Sequence, residues 1–529
     1  MHLTDHELLQ LDTETLSRLD EAALRHLSER MLADLKEARD RLNQDSRNSS
    51  RPPSSDGPYG RRPGEASDRQ AVASSAEAGD TGRGETTPSE TDEADRASAP
   101  VASREGTGQV GTPVAARARG RQPGARGHGR QQWLAVTDQV IHRPTACACC
   151  GRVLDASAPG QAYGGYDEMD LLPADPAAPG LTLTVTRHLP FEVSCSCGHR
   201  TRYQAPRAVV AADWHGSGVD RQQLLGPRLA ALVVLLSLRY RLSRAKLQEL
   251  LVELLGLELS IGLLDQTVRQ SAGQVAPVED ALLAAIEQSP LLHVDETPWP
   301  EAGVALWFWV FRTFGTVLYL IGSRAKELFI NALPEAFSGL LMSDGYGVYR
   351  AYGNRLRCWA HLVRKARGLA EATCRRTREI GSALLALMGG LMDTVRAAAT
   401  DPADLATRQD PAVQQLKALC EQHQYSSAEK LGAFCREMLK DWTVIIRPLY
   451  DPELPLTNNA AEQQLRHWVV ARKISFGTRS EQGSRALALL ASIIDTCRLR
   501  SASAWDYLAA AISAGRQGAP MPSLPAMGV

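Results

Sequence analysis

Long apolar runs, aromatic residues and net charge are all scarce in this sequence, and each scarcity removes a class of protein. No stretch approaches the about eighteen uninterrupted apolar residues that a membrane-spanning helix needs. The most apolar run, Leu229–Leu238, is followed at once by Arg239 and Arg241. The opening residues include Asp5, His6 and Glu7 where a secretory leader would carry a basic segment and an apolar stretch, so a cytoplasmic protein without membrane contact is expected. At 5% aromatics there is little from which to build a sugar cleft, and a paired-carboxylate glycosidase fits poorly. A net charge of −1 excludes a uniformly basic nucleic-acid coat but not local patches. One such patch is the Arg/Gly-rich, acid-free stretch 117–130, which follows an acidic one containing Glu77, Asp80, Glu85, Glu90, Asp92, Glu93 and Asp95.

What is present is enough chain for several folded units, since 529 residues exceed one ordinary core. Residues 1–45 read as a helix. Leu24, Met31 and Ala38 recur at intervals of seven with Leu35 and Leu42 between them, so a coiled coil and an amphipathic helix packed on its own protein are equally good readings; Ser28 interrupts the seam. Residues 46–130 are Ser, Gly, Pro, Arg, Glu and Ala with few large apolar side chains, which predicts a disordered linker. Its ends, Asn48–Asp56 and Gln122–Gly129, are less random.

Residues 131–207 form a small cysteine-containing module with strand-like alternation at 181–187. Residues 208–288 read as helical. Ser243–Leu255 is stopped by Gly256, and a second helix is capped by Ser260 and runs to about Gln270. The pair suits a helix-turn-helix or plain helical packing, with Gln266, Arg269 and Gln270 as the DNA-reading side chains of the first alternative.

Residues 289–500 change character. Leu291–Val294, Leu306–Phe311 and Val317–Ile321 predict three strands; a helix near 325–337 precedes a fourth strand, Gly339–Ser343; the rest is helical. Three strands, helix, strand, then helices is an α/β or α+β pattern. Residues 501–529 are read as a C-terminal tail.

Three acids stand at informative places in this pattern. Asp295, in His293-Val294-Asp295-Glu296-Thr297, and Asp344, in Met342-Ser343-Asp344-Gly345-Tyr346, each end an apolar strand, where α/β sheets present ligand-binding residues. Two unpaired anions at one edge repel, and a divalent cation would relieve them. Glu462 falls in the first turn of a helix capped by Thr457 or an asparagine, a position that dipole complementarity explains as well. Glu296 adjoins Asp295 but points to the other face if the strand continues, so it is read as a neighbour of the site at most.

Together these motifs resemble the insertion sequence 66 family of DDE transposases. The resemblance runs almost from end to end: the N-terminal helix, Asn48–Asp56, Gln-Pro-Gly and Gly-His at 122–128, and the cysteine module. It continues through His-x-Asp-Glu-Thr at 293–297, Asp-Gly-Tyr at 344–346, Cys358-x-x-His361 and Asn-Asn-x-Ala-Glu at 458–462. It implies a ribonuclease-H-like catalytic fold with a helical insertion at about 365–450. It also implies that Asp295, Asp344 and Glu462 bind two Mg²⁺ or Mn²⁺ ions for cleavage of DNA at element ends and transfer to a target. The partners implied are DNA, both terminal inverted repeats and target, and further copies of the chain; accessory transposition proteins are left open.

The cysteine module resembles the family's zinc-binding segment, with Cys147, Cys150, Cys195 and Cys197 as ligands of a structural Zn²⁺. Cys149, His188 and His199 compete for places in that set. Cys358 and His361 lie one helical turn apart, two ligands too few for a zinc site, and are read as packing and hydrogen bonding. Basic residues flank the acids, and His361, Arg364, Lys365, Arg466, Arg472 and Lys473 are the candidate DNA contacts. A zinc-containing DNA-binding regulator without chemistry, or an inactive domesticated relative, is the alternative.

Overall fold

A computed structural model describes residues 16, 19–42, 134–204 (apart from 174, 176, 178 and 179), 224–398 and 404–527. The chain divides into two units, Met1–Asp56 with Leu134–Val529, and Gly57–Trp133. The second unit, with the expected linker and its pieces Asn48–Asp56 and Gln122–Gly129, lies outside the described residues.

The N-terminal helix α1, Glu21–Leu42, starts where Asp20 caps it, accepting from the Ala23 N–H at 2.7 Å. Leu24, Met31 and Leu35 of the heptad reading are exposed on it. Near its end Asp40 accepts from the Thr373 hydroxyl at 2.6 Å.

The cysteine module is a small sheet built on one long strand. Strands β1 (Asp138–His142), β2 (Gly160–Ala162), β3 (Tyr166–Leu171) and β5 (Arg200–Arg202) all pair with β4, Leu183–Ser194. Met169, Leu171 and Val185 lie on its buried face and join the main core.

Helices α2 (Pro227–Leu238), α3 (Arg244–Leu255), α4 (Ile261–Gln274) and α5 (Val278–Glu287) follow. Ser243 caps α3 and Ser260 caps α4, each accepting a backbone N–H three residues on, and Gly256 ends α3 with φ of 65°. Of the reading side chains that a helix-turn-helix would use, Gln266 is exposed, Arg269 is engaged by Asp265 at 3.0 Å, and Gln270 is buried. Leu264, Val268 and Ala272 of α4 pack into the same core as the central sheet. Burial of Gln270 corrects its place on an exposed reading face.

The central sheet has five strands: β6 (Leu291–Glu301), β7 (Val304–Arg312), β8 (Val317–Gly322), β9 (Leu340–Ser343) and β10 (Arg355–Arg357), in the order β10-β9-β6-β7-β8. β6, β7 and β8 form an antiparallel meander, while β9 and β10 run parallel to β6. The short helix α6, Lys326–Ala332, crosses from β8 to β9. One strand more than expected is present. β10 escapes a reading by hydrophobicity because two of its three residues are arginines, both buried.

After β10 come α7 (Trp359–Ala370), α8 (Arg375–Ala398), α9 (Leu405–His423), α10 (Glu429–Lys440) and α11 (Trp442–Ile446), which close a core of their own around Trp359, Leu384, Leu416 and Phe434. Among the described residues α8 alone has the length and apolar composition of a membrane span, but its Leu384, Met388, Leu391 and Val395 face that core. Helices α12 (Asn459–Ser475) and α13 (Glu481–Leu499) return to the sheet. The segment expected as a tail forms a further helix, α14 (Ala504–Gln517), capped by Ser503 and buried through Tyr507, Leu508 and Ile512. Mixed α/β architecture is therefore present, with all-helical additions on the chain before and after the sheet.

Candidate active site

Strand register brings the two aspartates side by side. Leu291, Leu292 and His293 of β6 pair with Leu340, Leu341 and Met342 of β9, so Asp295 and Asp344 each lie two residues beyond the last pair. β10 continues the edge, with Arg357 opposite Ser343 and the Cys358 N–H donating to the Ser343 carbonyl at 2.9 Å. β9 and β10 end here, just before Asp344 and Cys358, whereas β6 runs on past Asp295 to Glu301 paired with β7, so Asp295 lies inside its strand and not at the strand end expected. Carbonyls and side chains at such strand ends are where α/β sheets place their chemistry.

Burial raises the Asp295 carboxyl well above the usual carboxylate range, and the negative charges of Asp344, Glu296 and Glu462 raise it further. The N–H of Glu296, donating to Asp295 Oδ1 at 3.0 Å, acts in the opposite sense but is outweighed. A carboxylate crowded by like charges is a group waiting for a cation. Asp344 is fixed by its own turn, where Oδ1 accepts the Tyr346 N–H at 2.8 Å. The glycine between them has a packing reason, since a Cβ on Gly345 would run into the guanidinium of Arg357.

Glu462 reaches this edge from the first turn of α12, and Asn458 just before that helix is the staple. The Asn458 side chain, wholly buried, donates from Nδ2 to the Val294 carbonyl at 2.8 Å, and its Oδ1 lies 3.0 Å from His293 Nδ1. Its backbone N–H donates to Cys358 Sγ at 3.2 Å. One asparagine therefore ties the first half of β6, the start of α7 and the start of α12. Burial pushes the His293 imidazole below its ordinary pKa, so it is neutral, with Nδ1–H free to donate to Asn458.

The basic residues near Glu462 turn inward. Arg364 Nη2 lies 3.4 Å from Glu462 Oε1, and His361 Nδ1 lies 3.6 Å from the same oxygen. Lys365 Nζ is engaged by Glu437 of α10 at 2.6 Å. Arg472 donates to Thr297 Oγ1 at 2.8 Å and to the Pro298 carbonyl. Arg466 and Lys473 are exposed on α12.

A buried ionic cluster backs the edge. Arg357, its side chain 1% exposed, donates to Glu437 Oε1 at 2.5 Å, while Arg350 and Arg355 both engage Asp441. Glu296 takes Arg324 at 2.6 Å and the Tyr349 hydroxyl; the Arg324 guanidinium lies over the rings of Trp307 and Tyr346, 3.9 and 4.0 Å from their centroids. Glu296 is thus a partner of the loop that carries Asp344. His293, Asn458, Arg357 and Asp441 were not singled out by sequence reasoning, although the first two sit inside the quoted motifs.

In the cysteine module, Cys147 Sγ lies 3.7 Å from Cys197 Sγ and Cys150 Sγ 3.7 Å from Cys195 Sγ. All four sulfurs fall within 4.8 Å of one another. Two turns supply the pairs: Gly151 (φ 69°) and Gly198 (φ 83°) each donate their N–H back, to the Cys147 and Cys195 carbonyls, both at 2.9 Å. The backbone N–H of Cys150, directed at Cys147, draws that thiol down to about 6. Cys149 is exposed outside the four. His188 instead pairs with His142, whose Nε2 is 2.8 Å from its Nδ1.

A family model described as "Transposase IS66 family" matches residues 222–486, and one described as "Family of unknown function (DUF6444)" matches residues 5–88. Similar curated proteins come from Sinorhizobium fredii (strain NBRC 101917 / NGR234). Uncharacterized protein y4qI is 24% identical over 303 residues, covering 51% of this chain and 56% of the relative. Uncharacterized protein y4jO is 29% identical over 170 residues, 32% and 51% respectively. Uncharacterized protein y4jD is 25% identical over 424 residues, 74% and 79%. The chain therefore spans about half the length of the first two.

Proposed function

This protein belongs to the IS66 transposase family, and from that premise we propose that it cuts DNA at the ends of an insertion element and joins those ends to target DNA, with Asp295, Asp344 and Glu462 as the catalytic carboxylates. The observation that carries the reading is the edge itself: two aspartates in register on adjacent parallel strands, with a glutamate delivered to them by the Asn458 staple. A sheet order of β10-β9-β6-β7-β8, with the first three strands in sequence forming an antiparallel meander, suits a ribonuclease-H-like core.

Oxygen donors of this kind fit hard divalent ions, and the raised Asp295 is the group that such an ion would return to its charged form. When bound, two Mg²⁺ or Mn²⁺ ions would activate a water or a DNA 3′-hydroxyl and stabilise the leaving 3′-oxygen in an in-line displacement at phosphorus. The protein's share is positioning. His293 and Asn458 fix β6 beside Asp295 against α12, the Tyr346 N–H orients Asp344, and Arg364 restrains Glu462. Arg466 and Lys473, exposed on the helix that carries Glu462, are placed to meet DNA phosphates.

The cysteine module fits a structural zinc ion. Bonds of about 2.3 Å in a tetrahedron give sulfur–sulfur edges of about 3.8 Å, close to the 3.7 Å of both pairs. DNA in the cytoplasm and further copies of the chain are the partners in this reading; the exposed heptad positions of α1 are a surface for the latter. A regulator without chemistry would account for the cysteines but leaves three converging acids idle.

The test is cleavage of a DNA duplex carrying the element's own end in Mg²⁺. Asp295→Asn, Asp344→Asn and Glu462→Gln should each lose at least about 10³-fold, or about 4 kcal/mol of barrier, while still binding the duplex. Cleavage by any of the three at the wild-type rate removes that residue from the catalytic set.

A further inference from the structure

One cluster of ligating groups is not used by the cysteine module or by the aspartate pair. Cys358 Sγ, His361 Nδ1 and a Glu462 carboxylate oxygen lie within 4.8 Å of one another. We propose that these three residues form a second, thiophilic metal site that takes a zinc-like ion and, when filled, withholds Glu462 from the aspartate edge. The second half of that statement rests on the catalytic reading of Glu462; the binding site itself does not.

The geometry is local and specific. Cys358 precedes α7 and His361 follows three residues on, so both side chains lie on one face of its first turn. Glu462 comes to them from the first turn of α12. Ligand bonds of about 2.0–2.2 Å to nitrogen and oxygen give a tetrahedral edge of about 3.3–3.6 Å, and His361 Nδ1 stands 3.6 Å from Glu462 Oε1. His361 Nδ1 is buried with no hydrogen-bond partner among the described residues, a costly state for a ring nitrogen unless something is to be bound there. Glu462 and His361 retain 21% and 14% side-chain exposure, leaving a route for an ion and for a fourth, water ligand.

Donor chemistry separates this site from its neighbour. Thiolate and imidazole select zinc-like ions, whereas Mg²⁺ prefers carboxylate and water. Arg364, 3.4 Å from Glu462 Oε1 and 16% exposed, must yield to the incoming cation. An ion held by Cys358, His361 and Glu462 would draw the glutamate away from Asp295 and Asp344. The site would then report the ratio of zinc to magnesium as inhibition.

Cobalt(II) is the probe. Full-length protein with zinc already in the cysteine module is titrated with Co²⁺, and thiolate-to-cobalt charge-transfer absorption is followed. Wild type should develop a band at one equivalent. Cys358→Ser should abolish it with an unchanged melting temperature, and His361→Gln should weaken Co²⁺ binding at least about tenfold, the minimum seen even for outer-shell changes. Asp295→Asn should keep the band, which separates failure of this site from failure of the catalytic reading. In the cleavage assay added Zn²⁺ should inhibit wild type at concentrations at least tenfold below those needed for Cys358→Ser. Absence of the band in folded wild type, or an equal band in Cys358→Ser, overturns the site; equal Zn²⁺ sensitivity overturns its control of Glu462.

Discussion

The cysteine module and the carboxylate edge both gather ligands, but they do so by opposite means. In the module each pair of sulfurs comes from one tight turn with a positive-φ glycine behind it, so the chain's local geometry does most of the placing. At the edge, three acids arrive from two strands and a distant helix, and the fixing contact joins His293 to Asn458 across 165 residues. In the proposed reading four thiols in two pairs would make a closed shell with no place for a substrate, whereas three carboxylates on a sheet edge would leave coordination positions free. Closed sites stabilise and open sites react.

That contrast can be broken most directly by removing metal from the module. Cys147→Ser, or prolonged chelation, should lose bound zinc and unfold residues 134–204, since structural zinc supplies on the order of 10 kcal/mol of apparent folding energy. Hydrogen exchange should show deprotection there while the central sheet stays protected. Equal protection of the module with and without zinc would falsify its structural role.

Asn458→Ala strikes the edge through its staple. It strands the Val294 carbonyl and His293 Nδ1, each costing about 1–3 kcal/mol when buried. A melting temperature lowered by several degrees together with loss of cleavage is expected; Asn458→Asp should recover only part of the stability. An unchanged melting temperature would show that other contacts hold α12 in place.

A smaller effect distinguishes the edge by pH. The folded carboxyl of Asp295 is raised above its unfolded value, so above about pH 4 the folded state holds a proton that the unfolded state has released. Stability of the protein without added Mg²⁺ therefore falls as pH rises from the ordinary carboxyl range up through the raised value. Asp295→Asn should flatten that slope and melt higher at neutral pH, and Mg²⁺ should stabilise wild type but not the variant. Thermal melts at a series of pH values read the difference.

The smallest effects concern phosphate contacts. Lys473→Ala should weaken DNA binding and lower the salt slope by about 1. Lys365→Ala, its ammonium already engaged by Glu437, should leave that slope unchanged. Identical slopes for the two variants would mean that exposure on α12 is no guide to DNA contact.

Much of the edge is visible in the sequence because short apolar runs are followed there by aspartates, and a change from apolar to acidic is a local signal, although β6 continues past Asp295. The module's pairs were visible because close cysteine spacing is also local; Cys147 and Cys150, the two expected, are the ones that cluster with Cys195 and Cys197, while the competing Cys149 lies outside the four. β10 was invisible. Arg355 and Arg357 are buried beside Glu437 of α10 and Asp441 just after it, eighty or more residues on, which neutralise them. Of the run His361, Arg364 and Lys365, expected as DNA contacts, Arg364 meets Glu462 and Lys365 meets Glu437, partners that no local pattern reveals. The final helix α14 escaped notice although Ser503 and Asp506 mark its start and Tyr507, Leu508 and Ile512 give it an apolar face.

The Asn458 staple also sets an order of assembly. Closing a loop of that length costs only logarithmically more than closing a short one, but it is slow, because every residue between must be present and compact before the contact can form. A ribosome that has delivered β6 through β10 has made both aspartates and none of the glutamate. The nascent chain therefore carries an incomplete edge until the insertion has been synthesised and α12 has docked, and a truncated product is left without a finished triad.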